Sequence, residues 1–376
     1  MWLRNIQISN FRNFSHFELE FSSTLNLFEG GNAQGKTNLL EAIYCLGRGT
    51  SFRTSTDQIM IKWNRDTLYL SGEGEIEGNF HKYEFSLSRD SGKIRRVNSH
   101  RVSIGNTSYW LWMIVFSARD IRIIQAGPGY RRNFLDELLF FTSPGFSHIR
   151  FSFNKVLSQR NALLGLAGEK GGIEDKNIEV WDSQFLELGS RIIYLRLMIL
   201  RKLESIFCDI YRELTGLNRP CQFIYSCSFF KEKNNNYSIE DIKEIFSSQL
   251  KKIRPKELKY RVSLIGPHRD DFKIIVSGID QRIFGSQGEQ KIASIALRLA
   301  EVALVREIKK EQPIVLLDDV TSDLDPPRER FLLEVLKDKG QIFLTTVDLS
   351  RFYPEFLSDS LIFHIENGKV FTHGKR

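Results

Sequence analysis

The sequence predicts an α/β fold, in which a parallel or mixed sheet holds a phosphate-binding loop and an α-helical segment is inserted into the chain. Three observations support this prediction. A glycine-rich loop at 30–37 stands between a short strand at 25–28 and a helix at 38–46. An aliphatic run at 313–317 ends in two aspartates, which is typical of a strand buried in a parallel sheet. Between them, residues 149–210 place apolar side chains at helical spacing.

The glycine-rich loop fits the pattern G-x-x-x-x-G-K-[ST], in which backbone N–H groups and a helix N-terminus surround phosphate. The loop and the residue after it are Gly30, Gly31, Asn32, Ala33, Gln34, Gly35, Lys36, Thr37 and Asn38. We expect Lys36 to reach the terminal phosphates and Thr37 to offer its hydroxyl to Mg²⁺. The alternative is a chance glycine-rich turn.

Length and composition describe an ordinary globular chain, long enough for two domains or for one domain with a large insertion. The 376 residues have a net charge of +7, which fits a polyanionic partner without proving one. The cysteines form no CxxC pair, so we expect reduced thiols rather than zinc. They are Cys45, Cys208, Cys221 and Cys227. Without a signal-peptide pattern or a membrane-length apolar run, the expected location is the cytoplasm.

Local patterns predict the other elements. Strands are predicted at 3–9, 16–21, 25–28, 59–63, 67–70, 83–87, 94–97, 114–117, 221–229, 262–265, 271–276, 313–317, 341–345 and 360–365. Helices are predicted at 38–46, 134–140, 238–250, 287–310 and 328–336. The stretch from 58 to 112 is therefore rich in strands, and the pattern changes near residue 120.

Two apolar stripes at helical spacing lie in the middle of the chain. The first covers 149–163, the second covers 181–210, and a glycine-rich break at 165–172 separates them. At ~1.5 Å per residue the second helix would span roughly 50 Å. The pattern predicts an antiparallel helical hairpin that forms a projecting or laterally packed arm. Two ordinary core helices are the alternative.

The two aspartates after the aliphatic run are candidates for metal binding and catalysis. Ligands bind at the carboxyl ends of strands in parallel α/β sheets. We expect Asp318 to hold Mg²⁺, directly or through water, and Asp319 to polarise an attacking water as general base. Two solvated acids would be the structural alternative. Since this pair and the loop at 30–37 lie far apart, one nucleotide site has to be assembled from both ends of the chain.

A second candidate anion site opens the predicted helix at 287–310. A serine and a glycine at a helix start can bind phosphate. Ser286 followed by Glu289 is also a capping box, which needs no ligand. Both interpretations can hold together.

These motifs, in their order, resemble the Walker A loop, signature motif, Walker B motif and D-loop of an ABC-type ATPase head. They lie at 30–37, 286–290, 318–319 and 322–325. More closely, the chain resembles the RecF family of bacterial recombination mediators, which is related to SMC-type ATPase heads. Further stretches similar to that family are 10–14, 36–43, 51–53, 130–136 and 266–271.

The resemblance implies a weak ATPase that uses ATP and Mg²⁺ and forms an ATP-dependent homodimer. Ser286, Gly288 and Gln290 of one subunit would contact the nucleotide of the other. The dimer would clamp double-stranded DNA near single-strand/double-strand junctions, with a RecR-type partner, and assist loading of a recombinase in DNA repair. The expected division is an ATPase domain at 1–119 and 255–376 and a mainly helical insertion at 120–254.

This sequence departs from the family pattern in four places. Ala33 replaces a glycine of the loop, Glu289 replaces a glutamine of the signature, and Arg119 replaces a glutamate. No histidine of the ABC switch type follows the strand at 341–345, where Thr346 or Asp348 are candidate substitutes.

Basic residues supply candidate DNA contacts, although any one of them can be part of a solvated face. They are Arg48, Arg53, Arg131, Arg132, Lys251, Lys252 and Arg254. Contacts of this kind would be salt-sensitive and indifferent to base sequence. The competing functions are a nucleotide-binding domain of a transporter, which the helical insertion disfavours, and the ATPase head of a nuclease complex, which no separate metal cluster supports.

Overall fold

The computed structural model of the chain describes residues 1–103, 111–170, 175–227, 229, 237–320, 324–337 and 340–372. The chain divides into two compact units. Unit 1 comprises Met1–Arg119 and Val305–Arg376, and unit 2 comprises Asp120–Leu304. The sequence places the second boundary at 254, whereas unit 2 continues to Leu304 because strand pairing joins residues 271–276 to residues 221–226.

The first sheet of unit 1 is antiparallel and contains the strand-rich stretch predicted from the sequence. Its strands are β1 (Trp2–Leu3), β2 (Asn5–Ser9), β3 (His16–Glu20), β5 (Thr67–Ile76), β6 (Asn79–Ser88), β7 (Gly92–Val97) and β8 (His100–Val102). Their order is β3-β2-β5-β6-β7-β8, and β1 also pairs with β5. The predicted strand at 59–63 is wrong: Asp57–Met60 form a 3-10 helix, and Ile61 makes only an isolated bridge with Phe11.

The second sheet of unit 1 combines strands from both ends of the chain. Its strands are β4 (Leu25–Glu29), β9 (Met113–Ser117), β13 (Ile314–Asp318), β14 (Ile342–Thr346), β15 (Ser360–Glu366) and β16 (Lys369–Thr372). The order is β16-β15-β4-β14-β13-β9, with every pairing parallel except β15 with β16. The aliphatic run forms β13, which lies between β14 and β9, and its aliphatic side chains are fully buried, as the sequence predicts.

Helix α1 (Lys36–Arg48) contacts both sheets of unit 1. Its apolar side chains face β5 and β6 on one side and β9, β13 and β14 on the other. The helix is therefore buried nearly all round, with Leu39, Leu40, Ile43 and Leu46 fully buried. The start of α1, where the phosphate loop ends, is therefore held by the core. Unit 1 also contains α8 (Pro326–Lys337) and α9 (Pro354–Ser358).

Unit 2 is mainly helical with a small antiparallel sheet. Its elements are α2 (Ile121–Gln125), α3 (Pro128–Thr142), α4 (Phe146–Lys170), α5 (Asp175–Thr215), β10 (Cys221–Ser226), α6 (Ile239–Tyr260), β11 (Asp271–Val276) and β12 (Ile279–Asp280). Helix α7 (Gln287–Lys309) begins in unit 2 and ends in unit 1. Among the residues that the structure describes, no helix is long and apolar enough to cross a membrane.

Helices α4 and α5 form the predicted antiparallel hairpin. Phe153 stacks on Phe185 with ring centroids 5.3 Å apart, and Arg160 pairs with Asp182. The hairpin is packed laterally, since Phe246 of α6 contacts Phe185. The helix α4 continues through the predicted glycine break as far as Lys170, and residues 171–174 lie outside the described part of the chain.

The end of α6 differs from the sequence prediction. The helix continues to Tyr260 instead of ending at 250, and residues 262–265 form no strand. Glu257 explains the extension because it is fully buried and accepts a hydrogen bond from Arg160 at 2.5 Å. A buried carboxylate needs such a partner, and the last turns of α6 are required to deliver it. Sequence spacing alone does not reveal this ion pair.

Candidate nucleotide site

The phosphate loop leaves the end of β4 and enters α1 through several left-handed backbone positions. Gly30 and Gly35 have φ of 157° and 121°, and Ala33 has φ of 64°. A Cβ on Gly30 would collide with the carbonyl oxygen of Ile365, and one on Gly35 would lie 2.7 Å from Asn13 Nδ2. Glycine is therefore required at both positions, whereas Ala33 occupies a conformation that favours glycine. Gly31, Asn32 and Ala33 are exposed.

Gln34 fixes the loop through contacts with two distant segments. Its carbonyl oxygen accepts from Asn13 Nδ2 at 3.0 Å, and its side-chain oxygen accepts from the backbone N–H of Asn367 at 2.6 Å. Asn13 also accepts a hydrogen bond from Asn38 at 2.8 Å. The loop is thus held from the β2–β3 turn on one side and from the β15–β16 turn on the other.

Lys36 is the first residue of α1 and lies inside the loop. Its ammonium group donates to the carbonyl oxygens of Gly30 at 2.5 Å and Gly31 at 2.9 Å, and the residue is only 8% exposed. Burial lowers the pKa of Lys36, while the carboxylates of Asp319 and Asp318 act in the opposite direction. The Lys36 ammonium group therefore lies inside the loop, where it could form charge-assisted hydrogen bonds with a bound phosphate.

Thr37 and Asp318 join the two predicted motifs. The Thr37 hydroxyl donates to Asp318 Oδ1 at 2.7 Å, although 281 positions separate the two residues. Burial raises the pKa of Asp318, and the hydrogen bond from Thr37 and the charge of Arg53 oppose that shift. A threonine hydroxyl and a carboxylate are oxygen donors that suit Mg²⁺, which usually takes few protein ligands and completes its shell with water and phosphate.

Asp319 follows β13 in a left-handed conformation, with φ of 53°. Its backbone N–H donates to Thr345 Oγ1 at 2.9 Å, and its side chain is exposed. Thr345 Oγ1 also lies 3.4 Å from Asp318 Oδ1. Strained backbone of this kind is common at functional sites because it aims a side chain. Here it directs Asp318 towards Thr37 while Asp319 faces solvent, where water is accessible.

Glu41 of α1 is the centre of a hydrogen-bond network beside the phosphate loop. This fully buried carboxylate accepts two hydrogen bonds from Arg12, at 2.7 and 2.9 Å, and one from Ser51 at 2.5 Å. Arg53 lies 3.1 Å from the same carboxylate and donates to Asn38 at 2.6 Å. The stretches 10–14 and 51–53 therefore meet at one residue of α1.

The signature stretch lies in unit 2 and forms the capping box that its sequence predicts. Ser286 Oγ accepts from the backbone N–H of Glu289 at 3.3 Å, and Glu289 Oε2 accepts from the backbone N–H of Ser286 at 3.0 Å. Ser286 and Gly288 are exposed at the start of α7. Gln290 points inward instead, where its amide donates to the carbonyl oxygen of Gln281 at 2.8 Å.

Arg219 is a residue of this region that the sequence does not single out. Its guanidinium forms an ion pair with Glu289 at 2.9 Å. The positive charge of Arg219 therefore offsets, within unit 2, the negative charge that Glu289 adds to the signature stretch. The pair joins residues 70 positions apart, so the sequence alone offers no signal for it.

Burial excludes two of the residues that the sequence suggests as DNA contacts. Arg48 is 4% exposed with its guanidinium over the ring of Tyr44, and Arg131 is 2% exposed and paired with Asp271 at 2.6 Å. Neither side chain reaches the surface, so we remove both from the candidate contacts. Their roles are structural.

The other basic candidates differ in their surroundings. Arg132 is half-buried and donates to the carbonyl oxygen of Asp270 at 2.8 Å, and Arg254 pairs with Asp182. Arg53 has the partners described above. Lys251 and Lys252 are exposed on α6. These two lysines are therefore the most accessible of the set.

The structure describes only some of the remaining predicted features. Ser322 and Asp323 of the predicted D-loop lie outside the described residues. Thr346 and Asp348 bond to each other in a tight turn, with Thr346 Oγ1 3.0 Å from the carbonyl oxygen of Asp348. Thr345, to which the sequence assigns no role, contacts both aspartates instead. Its position at the carboxyl end of a parallel strand, where ligands bind in such sheets, is the feature of the sequence that could have identified it.

Comparisons with known proteins identify the family of this chain. The family model described as RecF/RecN/SMC N terminal domain matches residues 2–355. The DNA replication and repair protein RecF of Acetivibrio thermocellus is 37% identical over 374 residues, covering 99% of this chain and 100% of that protein. Its counterpart from Heliobacterium modesticaldum is 35% identical over 372 residues, covering 98% and 99%. A solved structure of the recombination mediator protein RecF with ATP has a TM-score of 0.89 at 33% identity, covering 99% and 98%.

Fold and site together define an ATPase head of the ABC and SMC class. Within that class the chain belongs to the RecF family of DNA replication and repair proteins.

Proposed function

We propose that this chain binds Mg²⁺–ATP in unit 1, forms a homodimer when it does so, and closes on double-stranded DNA beside single-stranded gaps. Slow hydrolysis then releases the dimer. The chain is then a weak ATPase of the cytoplasm, and ATP hydrolysis is its only chemistry. Its ATPase domain is built from both ends of the chain. It acts in recombinational repair by helping a recombinase to load.

The hydrogen bond of Thr37 to Asp318 is the observation that carries the proposal. It brings a metal-binding hydroxyl and a metal-binding carboxylate to the end of a loop shaped by Gly30 and Gly35. The relative solved with ATP supports the same ligand for this site. A chance glycine-rich turn would not be expected to meet an acidic strand end in this way.

Each residue of the site has a distinct proposed role. Lys36 neutralises charge on the terminal phosphates, and Thr37 with Asp318 holds Mg²⁺, which would supply further neutralisation of the phosphate oxygens. Asp319 accepts a proton from the attacking water, since its carboxylate is exposed beside the metal ligand. Thr345 positions both aspartates through its hydroxyl.

A second subunit is proposed to complete the site. Ser286 and Gly288 are exposed at a helix start, where backbone N–H groups favour an anion. Gln290 is buried and therefore has a supporting role rather than a direct one. Closure on ATP follows if the dimer binds the triphosphate better than the monomer does.

DNA is proposed to contact the exposed basic face of α6. We define this basic face by its exposed cations, which are Lys251, Lys252, Lys256 and Lys259 of α6 and Arg261 at its C-cap. Phosphate contacts from such a face give affinity without base recognition. A solved relative is described as part of the RecFOR pathway, which supports a RecR-type partner for this chain as well.

Retention on gapped duplex DNA tests the proposal. The wild-type protein should be retained on a bead-bound gapped duplex with ATP, and far less without it. Lys36→Ala should lose both retention and the ATP-driven dimer seen by light scattering. Lys82→Ala, which changes an exposed lysine of β6, is the matched control. Equal retention of wild-type protein with and without ATP would reject the proposed clamp.

A further inference from the structure

Two thiols lie together in unit 2. Cys208 is on α5, and Cys221 is the first residue of β10. The Cys208 thiol donates a hydrogen bond to the carbonyl oxygen of Cys221, 3.5 Å from its sulfur. Both are half-buried, whereas Cys45 and Cys227 are buried. A small reagent can therefore reach this pair more readily than the other two thiols.

The two neighbouring thiols differ in acidity. Interaction with Cys221 lowers the pKa of Cys208, against the opposing effect of burial, whereas interaction with Cys208 and burial both raise the pKa of Cys221. Cys208 is therefore the better nucleophile, and Cys221 keeps its proton until Cys208 has reacted. An attacking thiol beside a second thiol is the arrangement in which disulfide exchange runs to completion.

Close contacts connect the pair to the signature stretch. Cys221 Sγ lies 3.5 Å from the carbonyl oxygen of Arg219. Arg219 forms the ion pair with Glu289 at 2.9 Å, and Glu289 caps α7 together with Ser286. A change at Cys221 therefore acts on the residue that offsets the charge of Glu289.

We propose that Cys208 and Cys221 form an oxidation site that closes to a disulfide and thereby loosens the start of α7. The Cys208 thiolate attacks a small disulfide such as oxidised glutathione, whose sulfur–sulfur bond breaks and releases one thiolate. Cys221 then passes its proton to solvent base and attacks Cys208 Sγ, which expels the second small thiolate. The two protein thiols lose two electrons, and the small disulfide is reduced to two thiols.

Closure changes the geometry around Arg219. A disulfide fixes the sulfur–sulfur distance at about 2.05 Å and restricts the torsion about the bond. The two sulfur atoms have to approach each other, which draws the first residue of β10 towards α5. Arg219, two positions before Cys221, moves with it and weakens its contact with Glu289. The capping box at Ser286 then loses a partner that holds Glu289 in place.

Non-reducing peptide mapping of the full chain tests the site. After incubation with oxidised glutathione, one cross-linked peptide pair should contain Cys208 and Cys221, and a reductant should remove it. Cys221→Ser should instead retain a stable glutathione adduct on Cys208. Cys208→Ser should leave Cys221 largely unmodified. Cys45→Ser is the matched control and should behave as the wild type. A different pairing, or equal adducts on Cys208 and Cys221 in the two variants, would overturn the proposal.

Hydrogen exchange tests the coupling to α7. Amides of residues 286–290 should exchange several-fold faster in the oxidised protein, and Arg219→Ala should reproduce that increase without any oxidation. Unchanged exchange at 286–290 after the disulfide has formed would refute the coupling. The consequence for ATP rests on the proposed function. A reduced protein that fails to dimerise with ATP would reject that function without altering the mapping result.

Discussion

The buried carboxylate of Glu41 receives the guanidinium of Arg12 in a two-point contact, with distances of 2.7 and 2.9 Å. Arg12 has a left-handed backbone, with φ of 53°, and also donates to the carbonyl oxygen of Ile59 at 2.9 Å. One side chain of α1 thus positions the turn before the phosphate loop and the segment after α1. The loop depends on this ion pair without containing either residue.

Replacing Glu41 with glutamine should destabilise unit 1 strongly. The change leaves two guanidinium groups beside a neutral amide in a buried place, and breaking such a pair costs about 3–5 kcal/mol. Thermal unfolding should show a clear drop in Tm. Glu73→Gln is the matched control because its ion pair with Arg4 is exposed. It should change stability by less than about 0.5 kcal/mol, and equal effects of both variants would contradict the role of Glu41.

Replacing Asp318 with asparagine should remove the metal-dependent part of ATP binding. The Thr37 hydroxyl keeps an acceptor, so the loop should remain folded while the charge facing Mg²⁺ is lost. A fluorescent ATP analogue should bind about 100-fold more weakly than to wild-type protein in the presence of Mg²⁺. With a chelator present the two proteins should bind alike. A Mg²⁺-dependent affinity equal to that of wild-type protein would show that Asp318 is not a ligand.

Replacing Asp319 with asparagine should slow hydrolysis and leave ATP binding intact. Loss of a general base typically lowers a rate by about 100-fold or more. The ATP-bound dimer should therefore persist longer in light scattering, while nucleotide affinity stays near that of the wild type. Phosphate release at the wild-type rate would mean that another group accepts the proton.

Replacing Ala33 with glycine should relax the phosphate loop. A left-handed conformation costs a residue with a Cβ about 1–2 kcal/mol, and glycine avoids this cost. If the loop keeps the same backbone with nucleotide bound, this relief appears in folding and not in binding: the variant should resist thermal unfolding by up to about 1 kcal/mol more than wild-type protein, with an unchanged affinity for ATP. Ala42→Gly in the middle of α1 is the matched control and should destabilise the protein by about 1 kcal/mol. Weaker binding by the Ala33 variant would argue that φ of 64° is not retained with nucleotide.

His268 should make unit 2 sensitive to acid. Burial lowers the pKa of His268 from 6.5 to about 4, and the cations Arg269, Arg132 and Arg160 act in the same direction. Below pH 6.5 the unfolded chain takes up the proton before the folded chain does, so stability falls as the pH drops towards 4. At pH 5 this group alone should cost about 2 kcal/mol relative to pH 7.

Chemical denaturation of wild type and His268→Gln at several pH values checks this expectation. The variant is expected to be less stable at pH 7, because His268 packs against both Phe153 and Phe185. Its loss of stability between pH 7 and 5 should nevertheless be smaller than that of the wild type. Parallel pH curves for the two proteins would show that His268 does not titrate in this range.

Much of the nucleotide site could be predicted because its residues are constrained by local geometry. Gly30 and Gly35 are required by backbone conformation, and the aliphatic strand before Asp318 by burial on both faces. The partners of Glu41 and Glu289 could not be predicted, since each ion pair joins segments whose meeting depends on the whole fold. The same limitation explains the α6 boundary, where the ion pair of Glu257 with Arg160 extends a helix that periodicity ends too early.

The turn between β15 and β16 has a consequence for synthesis of the chain. Asn367 and Gly368 donate backbone hydrogen bonds to Gln34 at 2.6 and 3.3 Å, and β15 lies directly beside β4. A nascent chain on the ribosome therefore exposes the loop at 30–37 long before the residues that hold it have been made. The loop at 30–37 therefore gains its contacts with Asn367 and Gly368 only after β15 and the turn that follows it have been synthesised.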